Sequence, residues 1–417
     1  MALSEFEEHY DDLETRTPEE RAEAMFGALP HQIHFAQFNS PAFKRILEGV
    51  DSDSVDNPEA LAKLPITRKS ELMELQNEDP PFGGLVTVKT GELARVFASP
   101  GPIYEPEGRA GDYWRMARAL HAGHFRRNEV VHNAFSYHLT PAGSMMESAA
   151  HTIGCAVVPA GVGQTELQVE TMGQVRPTAY TGTPSFLKIL LDKAEEMKRD
   201  VSSLTKAVVS GEALPPSLRQ EFADRGIHVS QCYATADLGL IAYESHAREG
   251  LIIDETIIVE LVQPGTGDPV EPGEVGEVVV TTLGDEYPLI RFATGDLSAE
   301  LPGPSPCGRT AMRLKGWMGR ADETTKIRGM FVHPAQVNDV LKRHPEIAKG
   351  RLVVTNPDNQ DAMTLRCEVD GGGSSELADA VVNSLRDVAK LRGEVEFVAK
   401  DELPADGKTI EDLRTYE

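Results

Sequence analysis

Beyond Leu85 the chain alternates short apolar runs with helically spaced segments, over 93–98, 113–124, 129–135, 145–153 and 155–159. Strands and helices in alternation predict a mostly parallel sheet covered on both faces. Ligands of such sheets sit beyond the carboxyl ends of the strands. The segment Ser99-Pro-Gly-Pro-Ile-Tyr-Glu-Pro106 follows one of these strands, where a phosphate-cradling loop belongs. Its composition is wrong for a cradle, because Pro100, Pro102 and Pro106 remove N–H donors and Glu105 repels phosphate.

The other segments have different textures. Residues 1–80 read as helical scaffold, with Phe26, Ile33, Phe35, Phe43, Ile46 and Leu47 in helical spacing and Thr67 or Ser70 as a helix cap. Residues 251–301 alternate apolar and polar between turn signals, predicting a small antiparallel β subdomain over about 251–318. Beyond Asp322 the pattern gives a compact αβ unit, with helices over 334–343 and 375–390 and strands over 351–354, 364–369 and 394–399. The fold class is therefore α/β: a large layered N-terminal domain over 1–321, a hinge, and a small α+β domain over 322–417. A chain of 417 residues is long enough for that division.

Composition removes several classes of function. A net charge of −25 disfavours nucleic acid, whose binding needs clustered Lys and Arg. It also calls for a local basic patch or Mg²⁺ if the ligand is a nucleotide or coenzyme A. No apolar run reaches the roughly 18 residues of a membrane span, so no membrane is expected. The N-terminus Met-Ala-Leu-Ser-Glu-Phe-Glu-Glu lacks the basic and apolar regions of a signal peptide, which points to the cytoplasm. Cys155, Cys232, Cys307 and Cys367 lie far apart, as thiols do rather than disulfides or a Cys-rich zinc site.

Several motifs carry chemistry. Thr294-Gly-Asp296 offers a carboxylate behind a tight Thr-Gly turn, able to accept both hydroxyls of a ribose. Gly319-Arg-Ala-Asp322 follows as punctuation that can join a large domain to a small one. Val208-Val-Ser-Gly-Glu-Ala-Leu-Pro-Pro216 is a strand running into a turn and a helix over about 216–224. Gly211 there lets the backbone approach a flat base, with Ser210, Glu212 and Ala213 able to contact its edges. In Gln231-Cys-Tyr-Ala-Thr-Ala-Asp-Leu-Gly239, Tyr233 offers a stacking face and Asp237 a carboxylate for Mg²⁺.

These motifs, in this order, resemble the adenylate-forming superfamily of acyl-CoA synthetases. The phenylacetate-CoA ligase branch is marked by Leu64-Pro-Ile-Thr-Arg-Lys69, Pro81-Phe-Gly-Gly-Leu85, Gly161-Val-Gly-Gln-Thr-Glu-Leu-Gln-Val169 and Thr183-Pro-Ser-Phe-Leu187. The resemblance implies an ATP-dependent aryl or arylalkyl carboxylate:CoA ligase that passes through an acyl-adenylate and uses ATP/AMP, Mg²⁺ and coenzyme A. It makes Lys408 in Leu403-Pro-Ala-Asp-Gly-Lys408 the adenylation lysine and Asp322 the hinge. Ser99, Gly101, Ser210 to Ala213, Cys232, Tyr233, Ala234, Thr235, Asp296 and Arg320 become the nucleotide site, with Asp237 on the metal. Phe135, Tyr137, His138, Ala142, Thr181 and Gly182 fall where relatives line the acid pocket.

Two departures stand out. Only Ser99, Gly101 and Pro106 fit the family's Ser/Gly/Thr-rich phosphate loop, with Glu105 at its Lys position. Ser245, Ile252 and Ser305 occupy three places of a zinc site that some members carry, leaving Cys307, so no structural zinc is expected. Relatives commonly dimerise, so a homodimer is compatible with the resemblance. Two other readings stay open on sequence: a non-catalytic homologue that binds AMP, an acyl-adenylate or an aryl-CoA, and an adenylating enzyme whose acceptor is not CoA.

Overall fold

The computed structural model describes residues 8–100, 102–321, 324–327, 330–355, 361–404 and 408–414. Contacts divide the chain into two units. One comprises Met1–Val262, Gly267–Thr294 and Ala299–Trp317; the other comprises Gln263–Thr266, Gly295–Ser298 and Met318–Glu417.

The spine of the first unit is the expected parallel sheet. Ala156–Pro159, Val130–Asn133, Ala179–Gly182, Lys206–Val209 and His228–Thr235 lie side by side in that order, each parallel to its neighbour. The strand order reverses between Val130–Asn133 and Ala179–Gly182, and at such a switch point the loops diverge to leave a crevice. Side chains alternate across the sheet. Val131, Ala179 and Val208 pack with helices Met116–Ala122 and Ala142–Ile153 on one face. Tyr180, Ala207 and Val209 pack with Thr165–Val175, Pro184–Glu196 and Pro216–Asp224 on the other. Gly239–Tyr243 then turns antiparallel off His228–Thr235. Leu251–Ile253, Arg313–Leu314, Phe292–Leu301, Val275–Thr282 and Ile257–Val262 continue the sheet, and Thr67–Arg68 beside Phe292–Leu301 brings it to 12 strands among the described residues.

The stretch around Thr67 departs from expectation. Thr67–Arg68 is a short strand parallel to Phe292–Ala293, with the Thr67 N–H donating to Arg291 O at 3.1 Å. The next helix begins at Leu72 with no side-chain cap hydrogen bond. Thr67 thus caps no helix, its Oγ1 being buried without a partner, and the pairing carries Lys69 toward the strand of the Thr-Gly-Asp motif. Arg291 fixes the junction: its buried guanidinium donates to Ala62 O at 2.6 Å, Leu64 O at 2.7 Å, Gly267 O at 2.9 Å and Glu260 Oε2 at 3.0 Å.

In the second unit, Ile347–Thr355 pairs antiparallel with Ala362–Val369, flanked in parallel by Ile410–Asp412 and Glu394–Val398. Helices Pro334–Lys342 and Ser375–Ala389 send Val337, Val340, Val381 and Leu385 into a core with Leu352, Leu365 and Cys367. A short hairpin, Thr325–Ile327 with Met330–Val332, was not legible in the sequence.

Candidate active site

The crevice at the switch point is held together by Asn133, which the sequence did not single out. Its Nδ2 donates to Tyr137 Oη at 2.7 Å and Gly143 O at 2.8 Å. Its Oδ1 accepts from Thr181 Oγ1 at 3.0 Å and the Phe135 N–H at 3.2 Å. One buried amide thus joins the loop after its own strand, the start of helix Ala142–Ile153 and the end of the neighbouring strand. A polar residue ending an apolar strand was the available signal. Phe135, Thr181 and Gly182 are buried, Ala142 is half-buried, and Tyr137 and His138 are exposed. The Tyr137 hydroxyl also donates to Glu147 Oε2 at 2.7 Å. Gln168, from the Gly161–Val169 motif, is buried and donates to Gly161 O and Gly163 O at 2.9 and 2.7 Å, bracing that loop.

The turn expected to meet adenine lies against this crevice. Gly211 has a φ of +81°, and a Cβ there would lie 3.8 Å from Thr183 Cγ2 and 4.0 Å from Phe135 Cε1. Ser210 Oγ donates to Cys232 O at 2.9 Å, and Glu212 Oε2 accepts from the Ser185 N–H at 3.3 Å. Gly211, Glu212 and Ala213 are exposed. The Tyr233 hydroxyl donates to Thr294 Oγ1 at 3.2 Å, and Thr294 donates to Val278 O at 3.0 Å. Ala234 and Thr235 are half-buried, and Thr235 Oγ1 accepts from the Leu238 N–H at 3.1 Å. Burial pushes the Cys232 thiol up to about 12, so it is not a nucleophile.

Within the second unit, Asp296 and Arg320, 24 positions apart, form an ion pair at 3.2 Å. Leu297 N–H donates to Gly319 O at 2.8 Å, and Met318 N–H to Leu297 O at 2.9 Å. The ribose motif is not the tight turn expected. It lies inside strand Phe292–Leu301, where Gly295 takes a φ of +77° and a Cβ would come 2.6 Å from the Arg320 guanidinium. A glycine in left-handed conformation bends the strand without ending it. Lys408 is exposed, just ahead of strand Ile410–Asp412. Gly101 and Asp322 lie outside the described residues.

The segment from Ser99 is a hairpin rather than a phosphate loop. Arg95–Ser99 pairs antiparallel with Ile103–Glu107, Ser99 opposite Ile103, so the backbone groups of a cradle go into a ladder. Glu107 is compensated by Arg95 at 2.8 Å and by Ser144 Oγ at 2.8 Å. Glu105 is 0% exposed, and neither of its oxygens meets a donor in hydrogen-bond geometry. Burial pushes its carboxyl up to about 7; nearby Ser99 and Lys69 oppose the shift and Asp237 adds to it. Lys69 Nζ lies 2.6 Å from Asp237 Oδ2, while Asp237 Oδ1 is buried without a partner. Lys69 is a further site residue that a scaffold reading overlooked; it was visible as the last residue of Leu64-Pro-Ile-Thr-Arg-Lys69.

Comparison with known proteins adds a family to this geometry. The AMP-binding enzyme family matches residues 112–284, and the AMP-binding enzyme C-terminal domain matches 329–413. A phenylacetate-coenzyme A ligase of Thermus thermophilus is 32% identical over 416 aligned residues, covering 94% of this chain and 92% of its own length. The chain belongs to the phenylacetate-CoA ligase family. A second member, from Escherichia coli, is 28% identical, covering 86% of this chain and 85% of its own. An open conformation of 2-hydroxyisobutyryl-CoA ligase, solved with 2-HIB-AMP and CoA, superposes with a TM-score of 0.84 at 25% identity, over 96% of this chain and 93% of that one. The family is of AMP-forming acid–thiol ligases, which join an acid to CoA through an acyl-adenylate.

At the positions compared above with a zinc site, Ser305 Oγ sits 3.0 Å from Cys307 Sγ. Burial raises the Cys307 thiol, but hydrogen bonds from Ser245, Ser305 and Arg309 outweigh it and hold the thiol below its ordinary range. Ile252 is buried in strand Leu251–Ile253. Among the described residues no group of three or more His, Cys, Asp or Glu is placed to hold a metal. No helix among them is long and apolar enough to cross a membrane.

Proposed function

We propose that this protein ligates an aromatic or arylalkyl carboxylic acid to coenzyme A with ATP, through an acyl-adenylate. The observation that carries this reading is the shared wall of the crevice: Gly211 of the adenine turn faces Phe135 and Thr183. A base against the turn and a flat ring beside Phe135 would then be neighbours, as in-line attack of a carboxylate on an α-phosphorus requires.

In this reading Tyr233 stacks on the adenine, while Ser210, Gly211, Glu212, Ala213, Cys232, Ala234 and Thr235 frame it. Asp296 accepts the ribose hydroxyls, oriented by Arg320. Phe135, Tyr137, His138, Ala142, Thr181 and Gly182 surround the acid. Ser99 and Gly101 are the remaining phosphate contacts. The carboxylate attacks the α-phosphorus and pyrophosphate leaves; CoA thiolate then attacks the acyl carbon and AMP leaves. Lys408 neutralises charge developing in the first step. The small domain, 322–417, would rotate about Asp322 against the large domain, 1–321, between the two steps. Asp237 is suited to hold Mg²⁺, because its Oδ1 is a buried anionic oxygen without a donor; when bound, the metal neutralises phosphate charge. We assign the reaction to the cytoplasm.

Trapping with hydroxylamine tests the first half-reaction. Acyl-hydroxamate formed from ATP and an aryl acid is the expected product, and its absence across an aryl-acid panel would sink the reading. The hairpin with Glu105 favours one competitor, a binder without turnover. Calorimetry showing AMP bound, Mg·ATP not bound and no pyrophosphate released would establish that competitor instead.

A further inference from the structure

The Tyr137 hydroxyl has two partners, and a third contact fixes which of them donates. Asn133 Nδ2 lies 2.8 Å from Gly143 O, which can only accept, so that atom is the amide nitrogen and also donates to Tyr137 Oη at 2.7 Å. The phenol accepts that bond and directs its own hydrogen to Glu147 Oε2 at 2.7 Å. The one hydrogen of the hydroxyl is therefore committed within the protein. The ring is confined as well. A Cβ on Gly143 would come 2.9 Å from Tyr137 Cγ and Cδ2, and one on Gly161 would come 4.0 Å from Cδ2. Tyr137 thus borders both the start of helix Ala142–Ile153 and the loop braced by Gln168, a fixed wall with the Glu147 carboxylate at its hydroxyl end.

Glu147 joins this wall to a second space. With Arg95, Ser144, Ser148 and His151 it lines a cavity of about 310 Å³. The helix places it there, because Ser144, Glu147, Ser148 and His151 recur at intervals of three and four residues and share one face. Most other polar groups of that lining are already engaged. Arg95 pairs with Glu107 Oε1 at 2.8 Å, Ser144 Oγ donates to Glu107 Oε2 at 2.8 Å, and Ser148 Oγ donates to Met145 O at 3.0 Å. The second Glu147 oxygen, Oε1, has no partner among the described residues. An anionic acceptor is thus left open directly behind Tyr137, with its nearest arginine held by another carboxylate. Such an acceptor favours a donor and opposes a second anion.

We propose that Glu147 is a specificity-determining residue, which selects an aromatic acid whose ring carries a hydroxyl remote from the reacting carboxylate and refuses one that carries a second carboxylate there. The assignment rests on the acid site proposed above. In that reading the reacting carboxylate lies by Phe135, on the side of Gly211, and the ring runs toward Tyr137, whose hydroxyl end meets Glu147. A para hydroxyl donates to Glu147 Oε1 and supplies the bond that this oxygen lacks. A para carboxylate sets two like charges against each other in a half-buried wall. Asn133 is a positioning residue for the same wall, acting through the Tyr137 hydroxyl.

Calorimetry on the full chain with AMP present, titrating phenylacetate, 4-hydroxyphenylacetate or 4-carboxyphenylacetate, tests the assignment without requiring turnover. The hydroxy acid should bind about 10-fold more tightly than phenylacetate, and the carboxy acid at least about 10-fold more weakly. Glu147→Gln keeps an acceptor for the Tyr137 hydroxyl but removes the charge. The penalty on the second carboxylate should then shrink to about threefold or less, while AMP affinity stays at the wild-type value and reports a folded crevice. Tyr137→Phe leaves the Glu147 charge in place, so discrimination against the carboxy acid should persist. Wild-type protein that binds the carboxy acid as tightly as phenylacetate overturns the proposal. So does a Glu147→Gln variant that binds AMP and keeps the wild-type order of acids, or a wild-type chain that binds AMP and none of the three. Hydroxamate formed equally well from all three acids would defeat this assignment and leave the ligase reading standing. The expected order of binding with no hydroxamate would defeat the ligase reading instead.

Discussion

Glu105→Gln is the most informative perturbation, because it removes a charge while keeping the shape of the side chain. The Glu105 carboxyl titrates at about 7 in the fold against 4.5 in an unconstrained chain, with burial the main cause. Between those values the folded chain holds a proton that the unfolded chain has released. Stability therefore falls as pH rises from 4.5 to about 7, and the loss is complete above that range. At ~1.4 kcal/mol per pH unit, the loss is roughly 3 kcal/mol. Gln carries no such penalty. In EDTA, urea unfolding should find wild type and Glu105→Gln within about 1 kcal/mol of each other at pH 5, where the wild-type carboxyl is already neutral. At pH 8.5 the variant should be the more stable by roughly 3 kcal/mol. Parallel pH profiles for the two proteins would refute the claim that this carboxylate is buried without compensation.

The other expectations concern separate parts of the molecule. Arg291→Ala strands the Glu260 carboxylate and three backbone carbonyls, and should cost about 3–5 kcal/mol in denaturant unfolding. Asp296→Ala breaks a partly exposed ion pair with Arg320, so stability should change by less than about 1 kcal/mol, while KM for ATP rises if Asp296 holds the ribose. Lys408→Ala should lower adenylation by about 100- to 1000-fold with AMP affinity retained by calorimetry. His121 and His124 are held at about 4, by burial and then Arg126. The unfolded chain takes up those protons near 6.5 and the fold resists until about 4, so stability should fall as pH drops through that window, as pH-dependent melting will show.

Much of this architecture was legible because its signals are local. The helix over 216–224 follows from Pro215-Pro216 and its flanking strand, and matches Pro216–Asp224. The small unit's helices and strands follow from spacing between turns, although Ile347–Thr355 is longer than the expected 351–354 because its ladder with Ala362–Val369 extends beyond the apolar residues. What was not legible depends on distant partners. Two residues, Thr67–Arg68, have no periodicity of their own; they are a strand only because Phe292–Ala293 lies beside them. Thr294-Gly-Asp296 resembles a turn locally but is carried through as strand by the sheet. The Ser99 segment showed its altered chemistry in its prolines and Glu105, yet nothing local revealed that register would turn Glu105 inward. Asn133 stood unremarked because a hub is defined by the chain segments it joins.

The central claim is that the crevice adenylates an aromatic acid, and pyrophosphate exchange into ATP measures that step without depending on CoA or its acceptor role. The account requires labelled pyrophosphate to enter ATP only when an aryl or arylalkyl carboxylate and a divalent cation are both present, and to cease in Lys408→Ala. Tight AMP binding with no acid-dependent exchange for any member of a broad aryl-acid panel would contradict it and leave a nucleotide-binding protein that does not turn over.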